Sequence, residues 1–146
     1  MKRISIIALF IMTVSLFIPA CAEETSESAV KQNTETYETL GDALKSSKSV
    51  LCLFHTSKAC RCTMKKCKAT LTLCSGIADS LPDDVIYFEV DIALSKTTAK
   101  THKIMAAPTI VLFDRNGVEV SRLQSWQINQ EAINKQVMEM TKKEQK

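Results

Sequence analysis

Glycine and proline are scarce in this chain, three of each in 146 residues, so loops and turns cannot dominate it and regular helices and strands should. Aromatic residues make up 5% and tryptophan occurs once, as Trp126. No internal repeat or low-complexity block interrupts the sequence, which excludes a solenoid or a biased tract. At 45% hydrophobic and 24% charged, the chain can bury an ordinary core and is neither a disordered polymer nor a disulfide-packed miniprotein. The formal net charge is +3, too small to imply nucleic acid as a partner. Asp and Glu are missing altogether from Ala43 to Ala78, where Lys45, Lys48, Lys58, Arg61, Lys65, Lys66 and Lys68 stand unopposed. Most of the cysteines lie in the same stretch.

What is present begins with a leader. Met1-Lys2-Arg3 precedes an apolar run from Ile4 to Ile18 and then Pro19-Ala20-Cys21-Ala22. Charged, apolar and small residues in that order read as a secretory signal, and the run is too short for a comfortable membrane span. Ile18-Pro19-Ala20-Cys21 resembles a bacterial lipoprotein box that would lipidate Cys21, while Ala20-Cys21-Ala22 also offers ordinary signal cleavage. Residues 1–21 are therefore expected to be a signal peptide with a lipobox. Either route exports the chain to the periplasm or the outer face of the cell envelope. Residues 22–36, rich in Glu, Ser and Thr, read as a flexible polar linker, and residues 37–146 as one folded domain.

Within that domain a short helix is expected from Tyr37, with Leu40 and Leu44 on one face. Val50 to Phe54 is a continuous apolar run, as in a strand buried on both sides. Thr63 to Ala78 has helical spacing, Val85 to Asp91 is β-branched and aromatic, and Ser95 to Ile104 is a polar-faced helix. Thr109 to Phe113 is a third strand. Asp114-Arg115-Asn116-Gly117 then supplies the turn into Val118 to Leu123, and a last helix, capped by Asn129, buries Ile133, Val137 and Met140. This order predicts a three-layer α/β sandwich: a central mixed sheet with helices on both faces, its strands joined by right-handed crossovers except for one antiparallel edge.

From Tyr37 to Met140 the chain resembles the thioredoxin superfamily. The likeness rests on the buried strand entering a cysteine loop at a helix start (Phe54 to Cys62), on the Val90-Asp91 strand end, and on Met105-Ala106-Ala107-Pro108-Thr109 ahead of a strand. It implies a thioredoxin-like fold, and a cis-proline at Pro108 facing the active cysteines and offering backbone groups to a substrate strand. Two departures stand out. The family's Cys-x-x-Cys is replaced by Cys60-Arg61-Cys62, and the buried acid it carries beside Phe54 is Leu53.

Cys21 leaves with the leader or carries lipid, and Cys52, Cys60, Cys62, Cys67 and Cys74 remain, an odd number that disulfides within one chain cannot exhaust. Cys52 in a strand and Cys74 deep in a helix are expected to pack as small apolar residues. Cys60 and Cys62 sit where a strand gives way to a helix, so the helix dipole and the flanking Lys58, Arg61, Lys65 and Lys66 should favour thiolate. A disulfide between them would be strained and easily reduced. Cys67 is a further candidate thiol, able to pair with either if the helix starts late.

Catalytic roles are accordingly expected for Cys60 as nucleophile, Cys62 as resolving thiol and Pro108. The chain then needs no cofactor, only a protein or small-molecule disulfide and an electron donor or acceptor protein. It is expected to be a monomer, held at a membrane if Cys21 is lipidated. Three other readings compete: a static disulfide, a scaffold that binds a partner through the Pro108 loop, and a metal module. In the last, Cys60, Cys62 and Cys67, with Met64, His55 or His102 as fourth ligand, would hold Cu(I) or Zn(II). The surrounding cations oppose a dication there. His102 on its polar helix is otherwise expected to face solvent, and Trp126 to pack under the last helix.

Overall fold

A computed structural model describes residues 37–144; the leader, the lipobox with Cys21 and the linker lie outside the described residues. The first helix, α1 (Leu40–Lys45), starts three residues later than Tyr37 because its cap is Thr39, whose hydroxyl accepts the Asp42 N–H and donates to the Asp42 carboxylate. Then come β1 (Ser49–His55), α2 (Arg61–Ala78), β2 (Val85–Asp91), α3 (Lys96–Thr101), β3 (Thr109–Phe113), β4 (Glu119–Gln124) and α4 (Gln130–Glu144). Asn129 caps α4 as expected, its side chain accepting the Ala132 N–H at 2.8 Å.

The strands lie in the order β2-β1-β3-β4. The sheet is mixed as the sequence predicts, but antiparallel pairing is not confined to an edge. β1 and β2 run parallel, while β3 is antiparallel to both β1 and β4. Helix length decides this. α2, at 18 residues, spans about 27 Å and can carry the chain back along the sheet. α3, at six residues, spans only about 9 Å against about 23 Å for a seven-residue strand, so β3 starts at the end where β2 stopped.

Alternation along the strands feeds two cores. Leu51 and Leu53 of β1 with Ile110 and Leu112 of β3 face α2 and α4, meeting Cys74 and Ile77 of α2 and Ile133, Val137 and Met140 of α4. Val50, Cys52 and Phe54 with Val111 and Phe113 face the opposite way, under Leu40 and Ala43 of α1 and Ile104 beyond α3. Helices therefore cover both faces. The turn into β4 is wider than two residues: Gly117, at φ 73°, donates to the Asp114 carbonyl, and a bulge at Leu112/Phe113 delays β4 to Glu119. Among the described residues no helix is long and apolar enough to cross a membrane.

Candidate functional site

Strand register gathers three connections at one end of the sheet. His55 at the end of β1 is level with Asp91 at the end of β2; Phe54 faces Thr109 at the start of β3, and Thr109 faces Gln124 at the end of β4. The loop to α2, the long connection through α3 to Pro108, and the turn after β4 therefore share one rim. The Ala107–Pro108 peptide is cis, the geometry the resemblance implies, and Pro108 is buried.

The first loop is held at several points. Thr56 closes on Lys58, its hydroxyl accepting the Lys58 N–H and donating to the Lys58 carbonyl, both at 3.2 Å. One oxygen of the Asp91 carboxylate accepts the Ser57 N–H at 3.2 Å and the Ala93 N–H at 2.8 Å, tying the loop to the end of β2. The Ile92 N–H reaches the His55 carbonyl at 2.9 Å. Burial pushes the Asp91 carboxyl up, but the Ser57 hydroxyl, the Ala93 and Ser57 amides and the neighbouring His55 outweigh it and hold the carboxyl below its usual value.

Cys60 follows as the N-cap residue of α2, with extended backbone, and its carbonyl accepts the Met64 N–H at 3.0 Å. The helix starts at Arg61, two residues before the expected Thr63, so Cys62 lies inside the first turn. Both thiols are free and exposed. Their sulfurs are 2.8 Å apart, and the Cys60 sulfur is 3.2 Å from the Thr63 hydroxyl. The Cys60 side chain closes no capping bond onto the helix, yet the first turn still favours its ionised form. The Cys60 thiol is lowered from its ordinary 9.0 to about 7, first by the Cys62 side chain, then by the Thr63 hydroxyl and amide, with the Cys62 amide adding and burial opposing. Hydrogen bonds, and not the flanking lysines and arginine, carry the shift.

Of the residues singled out in the sequence, Cys60 and Cys62 come together and Pro108 joins their rim. Cys67 does not. It lies two turns further along α2, about 10 Å along the axis from Cys60, and it is buried. Because α2 starts early, no late start brings Cys67 to either thiol. Burial pushes its thiol up, with the Thr56 backbone opposing and Asp91 reinforcing. His55 is half-buried beside Asp91. His102 is half-buried instead of facing solvent: it packs edge-on against Phe113, ring centroids 5.2 Å apart, and tilted on Phe54 at 6.0 Å. Among the described residues no group of three or more His, Cys, Asp or Glu is arranged to hold a metal ion, so the set Cys60, Cys62, Cys67 and His55 is not assembled.

Cys52 and Cys74 are core residues, as expected, and burial pushes both thiols up, Cys74 to about 12. Trp126 departs from expectation. It is 79% exposed, because the turn that follows β4, closed by the Gln127 N–H on the Gln124 carbonyl at 2.7 Å, presents it outward. Ile133, Val137 and Met140 already fill the space under α4. Two residues escaped the sequence reading. Thr63 sits three places after Cys60, the spacing of a capping box, but cysteine is not among the residues that signal a cap. Asp91 was visible only as a strand end.

The thioredoxin family profile matches residues 28–139. Among solved structures the chain is similar to mitochondrial thioredoxin 3 of Saccharomyces cerevisiae in its oxidized form, with 20% identity, a TM-score of 0.54, and 66% of this chain and 83% of that one covered. It is also similar to the thioredoxin NaTrxh of Nicotiana alata, with 16% identity, a TM-score of 0.56 and 68% and 79% covered. For Fasciola hepatica thioredoxin the figures are 18%, 0.53, and 64% and 82%. These likenesses carry the fold. No curated relative matches the sequence.

Proposed function

Because the chain belongs to the thioredoxin family, we propose that it is an exported thiol-disulfide exchange protein working through Cys60 and Cys62 at the tip of α2. One observation supports this above the rest: two exposed free thiols with sulfurs 2.8 Å apart, one of them further contacted by Thr63. The Cys60 thiolate attacks one sulfur of a substrate disulfide. A mixed disulfide forms and the second substrate sulfur leaves as thiolate. Cys62 gives up its proton, attacks the Cys60 sulfur and releases the first substrate sulfur, which ends protonated. Two electrons pass from the dithiol to the substrate, and an external dithiol or an electron-donor protein restores the reduced pair. No cofactor takes part. Pro108, ahead of β3 on the same rim, is proposed to offer backbone groups to the substrate strand. The leader is the ground for export, with attachment through Cys21 where it is lipidated.

Insulin reduction with dithiothreitol as electron source tests the reading. Cys60→Ser should abolish turnover, and pre-reduced Cys62→Ser, mixed with insulin after dithiothreitol is removed, should accumulate a mixed disulfide visible by mass. Turnover undiminished in Cys60→Ser would remove Cys60 from the mechanism. Stoichiometric Cu(I) or Zn(II) uptake by an exchange-inactive protein would favour the metal module instead.

A further inference from the structure

We propose that the substrate of this site is a polypeptide whose disulfide is flanked by acidic side chains, with an apolar side chain close by. The inference rests on the exchange reading above and names its substrate class. Charge around the two thiols is predominantly positive. Lys58, Arg61, Lys65 and Lys66 are exposed within a few residues of Cys60 and Cys62, and Lys103 is exposed shortly before Pro108. No acid occurs between Ala43 and Ala78 or between Ile92 and Phe113, and none in the turn from Gln124 to Asn129. One carboxylate stands at the strand ends, Asp91, which accepts the Ser57 and Ala93 amides. Glu38 and Glu89 line a cleft at the β2 edge together with His55, Ser57, Asp91 and Leu94, away from the tip of α2, and Glu131 lies in the first turn of α4. A predominantly positive surface around the thiols raises the local concentration and on-rate of oppositely charged partners.

Apolar side chains share the rim. Met105 is 93% exposed three residues before Pro108, Leu94 is 73% exposed just past β2, and Trp126 stands on the turn after β4. Met64, in the first turn of α2, is partly exposed. Large apolar groups left in water on the connections around two thiols suit an apolar residue of an extended polypeptide.

Four synthetic peptides, each with one intrachain disulfide, test this with the reduced protein. Three carry a leucine and differ only in flanking Asp, Ser or Lys; the fourth is the Asp peptide with its leucine replaced by serine. The Asp peptide should react at least about tenfold faster than the Lys peptide at low ionic strength, and the gap should close in high salt. Lys65→Glu combined with Lys66→Glu should invert the order of Asp and Lys peptides. Met105→Ser should narrow the advantage of the leucine-bearing Asp peptide over its serine counterpart. The salt series needs no variant. Uncharged 2-hydroxyethyl disulfide separates the two failures. If it is reduced in a Cys60-dependent manner while all peptides react alike, the substrate class is overturned and exchange stands. If neither it nor any peptide reacts, both readings fall.

Discussion

Removing the Thr63 hydroxyl while keeping its shape, by Thr63→Val, should raise the thiol pKa of Cys60. That hydroxyl lies 3.2 Å from the Cys60 sulfur and ranks after the Cys62 side chain among the groups holding the thiol near 7. At pH 7 a thiol with that pKa is half ionised, against about one part in a hundred for an ordinary one at 9.0. A rise of about one unit leaves about a tenth ionised. The remaining thiolate is then more nucleophilic by roughly threefold, at a Brønsted slope of about 0.45, so the rate at pH 7 falls only about twofold. A single-pH rate is therefore the wrong assay; the inflexion of the pH-rate profile is the right one. Iodoacetamide alkylation followed by tryptic cleavage reads it by site, because cutting after Arg61 puts Cys60 and Cys62 on different peptides. The parent Cys60 should inflect near 7, Thr63→Val about one unit higher, and Thr63→Ser close to the parent. An unchanged inflexion in Thr63→Val would refute the role of the hydroxyl. An ordinary inflexion in the parent would refute the activation of Cys60 altogether.

Pulsed thiol labelling of the native domain should modify Cys60 and Cys62 quickly and Cys52, Cys67 and Cys74 only on unfolding, since the last three are buried; native labelling of Cys67 at a comparable rate would contradict its place under the loop. Phe54→Ala, which empties a fully buried position between β1 and the aromatic cluster, should cost about 3–5 kcal/mol in urea unfolding, and a loss under about 1 kcal/mol would disprove the packing. Burial holds the His102 imidazole below its ordinary 6.5, with Glu119 opposing and Arg122 reinforcing, so the unfolded chain takes up that proton first. The stability at stake is whole above 6.5 and is lost as pH falls from 6.5 through the folded value; the melting temperature should drop between pH 7.5 and 5.5, and less so in His102→Phe. Trp126 is the only tryptophan and stands in water, so intrinsic emission should lie at the solvent-exposed end of its range and be freely quenched by acrylamide; strong shielding would place the side chain elsewhere.

Most of the architecture was legible because hydrophobic periodicity is a local signal. Val85–Asp91 and Thr109–Phe113 emerge with the expected bounds, and Asn129 caps the last helix as expected. Strand direction was less legible: it depends on whether a connection is long enough to return along the sheet, and α3 shrank from the expected Ser95–Ile104 to Lys96–Thr101. The cysteine loop was readable as a strand-to-helix junction. Its electrostatics were not, because the sequence displays lysines and hides hydrogen bonds. Four exposed cations appear to the eye as the cause of a lowered thiol, whereas the Cys62 side chain and Thr63 produce it. His102 and Trp126 exchanged their expected surroundings for a similar reason. Their exposure is fixed by what else competes for the core, Phe54 and Phe113 in one case and Ile133, Val137 and Met140 in the other.

The two-residue spacing has a chemical consequence that follows from the helix start. With Cys60 at the cap and Cys62 within the first turn, both sulfurs are exposed, so burial cannot assign one as attacker and the other as resolver. Only the hydrogen bonds differ. The Cys60 sulfur has the Thr63 hydroxyl as well as the Cys62 sulfur within reach, and so is stabilised as the attacking thiolate before the mixed disulfide forms. Thr63, through its hydroxyl and its amide, therefore contributes to the division of labour between the two thiols, and removing the hydroxyl should weaken the preference for Cys60 as attacker.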